Sequence, residues 1–162
     1  MSDPRAATDN ARPDRGRAFD WDLAFLTRFV GPLMLLARVM LAYIFVVSGL
    51  TYIGQYAGVV DYMQSNGVDE RLLPLVILTE LGGGLLVLFG LKTRWAAIAL
   101  CGFCLLTAVL IHWRANEMIE VQKNVAMAGG YLMLAVFGPG PWSVDGWRGR
   151  EAYNYVAGRM IG

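Results

Sequence analysis

Long apolar segments dominate the sequence from position 30 onward. They cover residues 30–53, 72–91, 95–111 and 125–137, and the last reaches spanning length only together with residues 121–124. A bilayer core about 30 Å thick needs roughly 20 apolar residues in a helix, whereas buried strands rarely exceed about 10 residues. Helices also pair every backbone polar group within lipid. The pattern therefore predicts an all-α membrane protein, a bundle of four transmembrane helices.

The polar segments at the two ends complete the predicted organisation. Residues 1–18 are polar and rich in interleaved Arg and Asp, which predicts a disordered tail. In residues 19–29 aromatic and charged side chains alternate. This pattern predicts an amphipathic segment in the membrane interface, or equally a soluble flap against the bundle. The transmembrane domain is then residues 30–145, followed by a cytoplasmic C-terminal tail at 146–162.

Composition agrees with a membrane protein. The 162 residues are 56% hydrophobic and only 17% charged, against about 45–50% and about 25% in soluble domains. These values exclude a disordered chain and a secreted disulfide scaffold, and they argue against an ordinary soluble enzyme. The net charge of +1 offers nucleic acid no electrostatic attraction. The expected surroundings are therefore a lipid bilayer.

The distribution of Lys and Arg predicts the orientation. Most of them flank the predicted spans on one side, in the N-terminal segment, the 92–94 turn and the C-terminal tail, and few fall on the other side. Because cytoplasmic loops carry the excess of positive charge, both termini are expected in the cytoplasm.

Arg38 and Glu80 are the charges inside the first two predicted spans. Counted from the cytoplasmic ends of their helices, they lie roughly 12 and 16 Å deep. Opposite charges at one depth are expected to form a buried ion pair, because a lone charge in a span is costly. Two interpretations follow. The pair fixes the helix register, or it handles a proton or a ligand.

A second polar cluster is predicted at the opposite end of the bundle. His112 ends the third span, Gln122, Lys123 and Asn124 open the fourth, and Tyr52 ends the first. Such a mouth can hold a polar ring head group such as that of a quinone, with His112 able to exchange protons. The alternative is interfacial anchoring, in which Lys snorkels and the amides cap the helix. One His without a second His or Cys beside it predicts no metal site.

Two further patterns are interpreted as packing. Cys101 and Cys104 form a C-x-x-C motif in the middle of the third span, whereas redox pairs use the dipole at a helix N-terminus. Three glycines at 82–84 follow Glu80. They favour close contact between helices, with a local opening of the backbone beside Glu80 as the other interpretation.

Several short motifs, in this order, resemble the DoxX family of small bacterial inner-membrane proteins. The matching stretches are AR at 37–38, FVVSGL at 45–50, ELGGGLL at 80–86, FGLKTR at 89–94, His112, QKN at 122–124 and FGPGPWSVD at 137–145.

The resemblance implies a four-helix bundle in the bacterial inner membrane. A related protein type, DoxD, is a membrane subunit of thiosulfate:quinone oxidoreductase, and other relatives are linked to thiol and oxidative-stress handling. We therefore expect a quinone-linked accessory of an oxidoreductase system, with quinone as the candidate ligand and a membrane-protein partner or a homo-oligomer. The alternatives are a non-catalytic structural or interaction subunit of a larger membrane complex, and a small-solute transporter. No catalytic residue is assigned.

Overall fold

The computed structural model describes the backbone of residues 15–149 and the side chains of residues 28–149. Most of the predicted N-terminal tail, the side chains of the predicted interfacial segment before position 28, and residues 150–162 lie outside the described residues. The chain divides into two units, residues 1–30 and 31–162. The packing described below is that of the second unit.

Seven α-helices make up most of the described chain. They are α1 (Arg15–Gly54), α2 (Tyr56–Ser65), α3 (Leu73–Ile77), α4 (Gly83–Phe89), α5 (Thr93–Thr107), α6 (Met118–Phe137) and α7 (Val144–Arg148).

Two of the predicted spans contain π-helical turns. In the second, a 3-10 turn at Glu70–Leu72 leads into α3, a π-helical turn at Leu78–Gly82 follows, and α4 completes the span. In the third, α5 continues into a π-helical turn at Ala108–His112. Such turns are rare within helices and occur frequently at functional sites.

The described residues contain helices and no strand, which confirms the all-α prediction. Three stretches are long and apolar enough to cross a membrane: Arg28–Gly54, Glu70–Phe89 and Thr93–His112. Helix α6 has 20 residues but is not among them. Its first two turns carry the polar residues Glu120, Gln122, Lys123 and Asn124. The fourth span and the orientation of the termini therefore stay predictions.

Aromatic side chains join three helices in the core. The ring of Phe45 on α1 lies 6.1 Å from that of Phe103 on α5 and 5.6 Å from that of Tyr131 on α6. The Tyr131 hydroxyl donates a 2.7 Å hydrogen bond to the carbonyl of Leu41. Cys104 is fully buried in this core and Cys101 packs against it, both as free thiols. The cysteines thus occupy the packing positions that the sequence predicts.

Glycines allow the close helix contacts that their pattern predicts. A Cβ atom on Gly49 of α1 would lie 2.8 Å from the Cβ of Leu81, and one on Gly83 would lie 2.9 Å from Leu100 of α5. Real Cβ atoms essentially never approach so closely, so a larger residue would displace the Leu81 backbone at the first position and the Leu100 side chain at the second. Gly49 thus lets α1 approach the helix that contains Glu80, and Gly83 lets that helix approach α5.

Candidate functional site: a cavity with a buried carboxyl group

A cavity of about 210 Å³ opens between α1, α2, α5, α6 and the helix that contains Glu80. Its walls are mostly apolar, with side chains such as Phe45, Met63 and Phe103. Its polar side chains include the following: Tyr52, Tyr62, Glu80, His112, Lys123 and Asn124. An apolar chamber with a few convergent polar groups is the usual form of a small-molecule site.

Glu80 is the most buried acid of the cavity. It sits in the π-helical turn Leu78–Gly82 and is only 6% exposed. Its Oε2 atom is buried and has no hydrogen-bond partner within residues 28–149. Buried polar groups are nearly always hydrogen-bonded, so an unpaired carboxyl oxygen facing a cavity calls for an explanation. A carboxyl group in this position can hold a proton or bond to a ligand.

A bridged trio, Tyr62, Glu117 and His112, lies at the cavity, which Tyr62 and His112 line. The Glu117 carboxylate Oε2 lies 2.7 Å from Nδ1 of His112 and accepts a 3.0 Å hydrogen bond from the hydroxyl of Tyr62. The contact with His112 is the main reason that the pKa of Glu117 lies below its usual range. Burial, followed by the bond to Glu117, raises the pKa of Tyr62 to about 12. The trio ties α2 to the loop between His112 and α6.

The first turns of α6 supply the remaining polar groups. The Lys123 ammonium group pairs with the Glu120 carboxylate one turn earlier. The Asn124 amide donates a 2.9 Å hydrogen bond to the Glu120 carbonyl and is 6% exposed. These contacts with Glu120 hold the side chains of Lys123 and Asn124 in place in the first turns of α6, where both face the cavity.

Four of the five residues predicted at the mouth meet in this cavity. Tyr52, His112, Lys123 and Asn124 all line it, together with Glu80. Gln122 does not, since it is exposed on the outside of α6. Consecutive helical residues point about 100° apart. Gln122, two positions before Asn124, therefore points away from the face of α6 on which Asn124 lies.

Glu117, Glu120 and Tyr62 are not among the site residues predicted from the sequence. Glu120 precedes Lys123 by three residues. This spacing favours an ion pair on a helix, so the sequence could have indicated this contact. Glu117 lies in a loop, and Tyr62 lies far from His112 in sequence, so no local pattern indicates their contact.

The structure does not form the predicted ion pair between Arg38 and Glu80. Arg38 is 1% exposed. Its guanidinium donates to the carbonyl of Leu88 at 3.1 Å, to that of Val87 at 3.5 Å, and to that of Trp142. The last carbonyls of a helix lack intrahelical partners and attract cations. The long Arg38 side chain reaches this end of α4, whereas Glu80 faces the cavity, so similar depth along the helices does not bring the two charges together.

Asp145 completes a second polar group, which we call the turn cluster: Arg38, Gly90, Thr93, Trp142 and Asp145. The Asp145 carboxylate accepts hydrogen bonds from the backbone N–H groups of residues 92 and 93 and from the Thr93 hydroxyl, at 2.8–3.0 Å. It thereby caps α5 from a distant part of the chain. The Asp145 N–H also donates to the Gly90 carbonyl at 2.8 Å. The turn cluster holds the α4–α5 turn against the segment after α6.

Comparison with known proteins identifies the family. The DoxX family model matches residues 33–113. The chain belongs to the DoxX family. It is 44% identical over 115 residues to the Escherichia coli (strain K12) inner membrane protein YqjF, covering 69% of this chain and 88% of that protein. It is 34% identical over 123 residues to inner membrane protein YphA of the same organism, covering 70% and 88%.

No solved structure gives a significant match to this DoxX-family chain. Its apolar helices and the names of its relatives support an integral protein of the inner membrane. The family model includes Arg38, Glu80 and His112. It therefore covers residues of both the turn cluster and the cavity.

Proposed function

We propose that this DoxX-family membrane protein binds the ring head of a quinone in the cavity and serves as a quinone-linked subunit of an oxidoreductase system. The observation that carries the proposal is the buried Glu80 carboxyl group, whose Oε2 atom is unpaired within residues 28–149 beside an apolar chamber. A quinone ring is apolar on its faces and accepts hydrogen bonds at its oxygens, so both parts of this site suit it.

The size of the cavity favours a single ring. An apolar protein cavity of about 150 Å³ is sufficient for benzene, and this one measures about 210 Å³. A substituted six-membered ring fits that volume, and an isoprenoid tail would have to extend between the helices into lipid. The helix faces around the bundle carry exposed apolar side chains such as Met40, Tyr43 and Leu78, which suit contact with such a tail.

The polar side chains have separable roles in this proposal. The Tyr52 hydroxyl and the Asn124 amide are hydrogen-bond donors for a ring oxygen, and Glu80 exchanges a proton with it. Lys123 and His112 lie toward the start of α6, where they keep the approach to the cavity polar. A bound quinone would supply the redox chemistry by accepting electrons from a partner protein together with protons.

Titration calorimetry with ubiquinone-1 in detergent tests the proposal. We expect the wild-type protein to bind, and Glu80→Met and Asn124→Leu, which both lack a donor, each to weaken binding about tenfold, the effect of losing one buried hydrogen bond. Gln122→Ala is the matched control, because this exposed α6 residue lies outside the cavity lining, and it should bind like the wild type.

Two results would contradict the proposal. One is unchanged affinity in both Glu80→Met and Asn124→Leu, which would place any quinone elsewhere. The other is the absence of binding by the wild-type protein together with copurification of a larger membrane partner. That result would favour the alternative function, a structural subunit.

A further inference from the structure

A second cavity lies beside the turn cluster, at the end of the bundle that holds the α4–α5 turn. It measures about 290 Å³ and is separate from the Glu80 cavity, since the two share no lining residue. Lys92, Arg94 and Trp95 line one side of it, and the chain from Phe137 to Gly140 lines the other. The turn cluster uses the backbone of this turn, but it does not use the side chains of Lys92 and Arg94.

Arg94 is held against the wall of this cavity. A Cβ atom on Gly138 would lie 3.4 Å from both Nε and Nη2 of Arg94. Gly138 has φ +81° and ψ −176°, a backbone conformation open to glycine. The glycine therefore lets the guanidinium pack along the backbone, which restricts its position at the cavity.

The lining of the cavity carries a net positive charge, since Lys92 and Arg94 stand against one carboxylate, that of Asp145. Among residues 28–149, neither the ammonium group of Lys92 nor the guanidinium of Arg94 has a hydrogen bond or an ion pair. Asp145 also lines the cavity, but its Oδ1 accepts from the backbone N–H of Lys92 and its Oδ2 accepts from Thr93. Lys92 and Arg94 have no partner in this part of the chain, and the Asp145 carboxylate bonds to other groups. The two cations are therefore suited to bind an anion.

Three exposed tryptophans surround the same end of the bundle. Trp95 is 75% exposed, Trp142 58% and Trp147 80%. Tryptophan is enriched where a membrane protein crosses the level of the lipid head groups. The cavity is therefore expected at that level, where the anions at highest concentration are lipid phosphates, and Arg binds such groups through two parallel N–H donors.

We infer that this cavity binds the phosphodiester group of an anionic phospholipid, with Arg94 and Lys92 as its cations and Trp95 beside the glycerol region. The site is independent of the proposed quinone site. It gives Lys92 and Arg94 of the FGLKTR motif a role, whereas Gly90 and Thr93 of that motif serve the turn cluster.

Native mass spectrometry of the purified protein tests this inference, with phosphatidylglycerol or phosphatidylcholine added to the detergent. We expect phosphatidylglycerol to be retained in preference to phosphatidylcholine. The double variant Lys92→Gln, Arg94→Gln should reduce its affinity about 30-fold, as expected for two cations at a membrane surface. Arg71→Gln, an exposed basic residue in the Glu70–Leu72 turn, should retain the lipid like the wild type.

Three outcomes would overturn the inference. Equal retention of the two lipids by the wild-type protein would exclude recognition of the anionic head group. Unchanged retention of phosphatidylglycerol by the double variant would place the lipid elsewhere. Competition by inorganic phosphate as effective as that of the lipid would assign the site to a free anion. If the double variant fails to fold, the first and third measurements still decide, because both use the wild-type protein.

Discussion

The Glu80 cavity and the turn cluster are both polar regions inside an apolar bundle, and they differ in how their polar groups are satisfied. In the turn cluster, Nη1 and Nη2 of Arg38 and both oxygens of Asp145 bond to backbone or hydroxyl groups, while the buried Arg38 Nε has no partner within residues 28–149. In the cavity, Glu80 Oε2 is buried and unpaired within residues 28–149. The first arrangement fixes chain segments to one another, while the second leaves bonding capacity for a ligand.

The backbones of the two regions also differ. The turn cluster is built around Gly90 at φ +69°, where a Cβ atom would lie 2.3 Å from Arg38 Nη1. The cavity instead contains two π-helical turns, which end at Gly82 and His112. A buried charge is therefore weak evidence of function by itself. The groups to which it bonds distinguish a structural role from a binding role. We expect substitutions in the turn cluster to reduce stability and substitutions in the cavity to reduce binding.

The largest effect is expected for Arg38→Met. This change keeps the apolar stem but removes the guanidinium from the carbonyls of Leu88 and Trp142, which should lower the free energy of unfolding by about 3 kcal/mol. Thermal unfolding in detergent, followed by circular dichroism, measures it. Glu80→Gln, at a cavity position, should cost less than about 1 kcal/mol. Equal losses in the two variants would remove the distinction between the regions.

If Arg38→Met does not fold, Arg38→Lys keeps the comparison measurable. Lysine retains the charge and one donor group, but it lacks the planar fork that reaches two carbonyls at once. We expect an intermediate loss of stability. An Arg38→Lys variant as stable as the wild type would show that the paired donors contribute nothing.

Gly90→Ala should have the next largest effect. The added methyl group meets Arg38 and Ser143, each at 2.3 Å, and the positive φ adds backbone strain, together about 2 kcal/mol. Gly102→Ala on α5 is the matched control, because nothing lies within 4 Å of its Cβ position and alanine favours the helix. The melting temperatures of the two variants, compared in one detergent, measure this difference. A loss in Gly102→Ala as large as that in Gly90→Ala would contradict the account.

The smallest effect is the pH dependence of the bridged trio at the cavity. The pKa of Glu117 is lowered in the folded protein, chiefly by His112. Its contribution to stability is therefore present above the ordinary carboxyl pKa and is lost as the pH falls through the lowered value. The difference in melting temperature between wild type and Glu117→Gln should shrink as the pH falls below about 4.5. A difference independent of pH would contradict the assigned contact with His112.

Segment length and the order of short motifs were sufficient to predict the helical class, three of the spans and the family. The meeting of Lys123, Asn124, His112 and Tyr52 was also predictable, because all four lie at helix ends on one side of the bundle. Depth along a helix located Arg38 and Glu80 but not the directions of their side chains. The prediction of an ion pair between them was wrong for that reason.

The remaining contacts depend on tertiary structure. Asp145 caps a helix that begins 52 residues earlier in the chain, and no local pattern indicates such a partner. The π-helical turns were not predictable either, since each differs from an α-helix by one inserted residue that hydropathy does not detect.

The most direct test measures the shift in melting temperature caused by ubiquinone-1 in three proteins: wild type, Glu80→Met and Asp145→Asn. We expect Asp145→Asn to melt at a lower temperature than the wild type and to keep the full quinone-induced shift. Glu80→Met, which keeps the length of the side chain but has no donor, should melt near the wild-type temperature and lose most of the shift. A full shift in Glu80→Met, or its loss in Asp145→Asn, would contradict the assignment of binding to the cavity and of stability to the turn cluster.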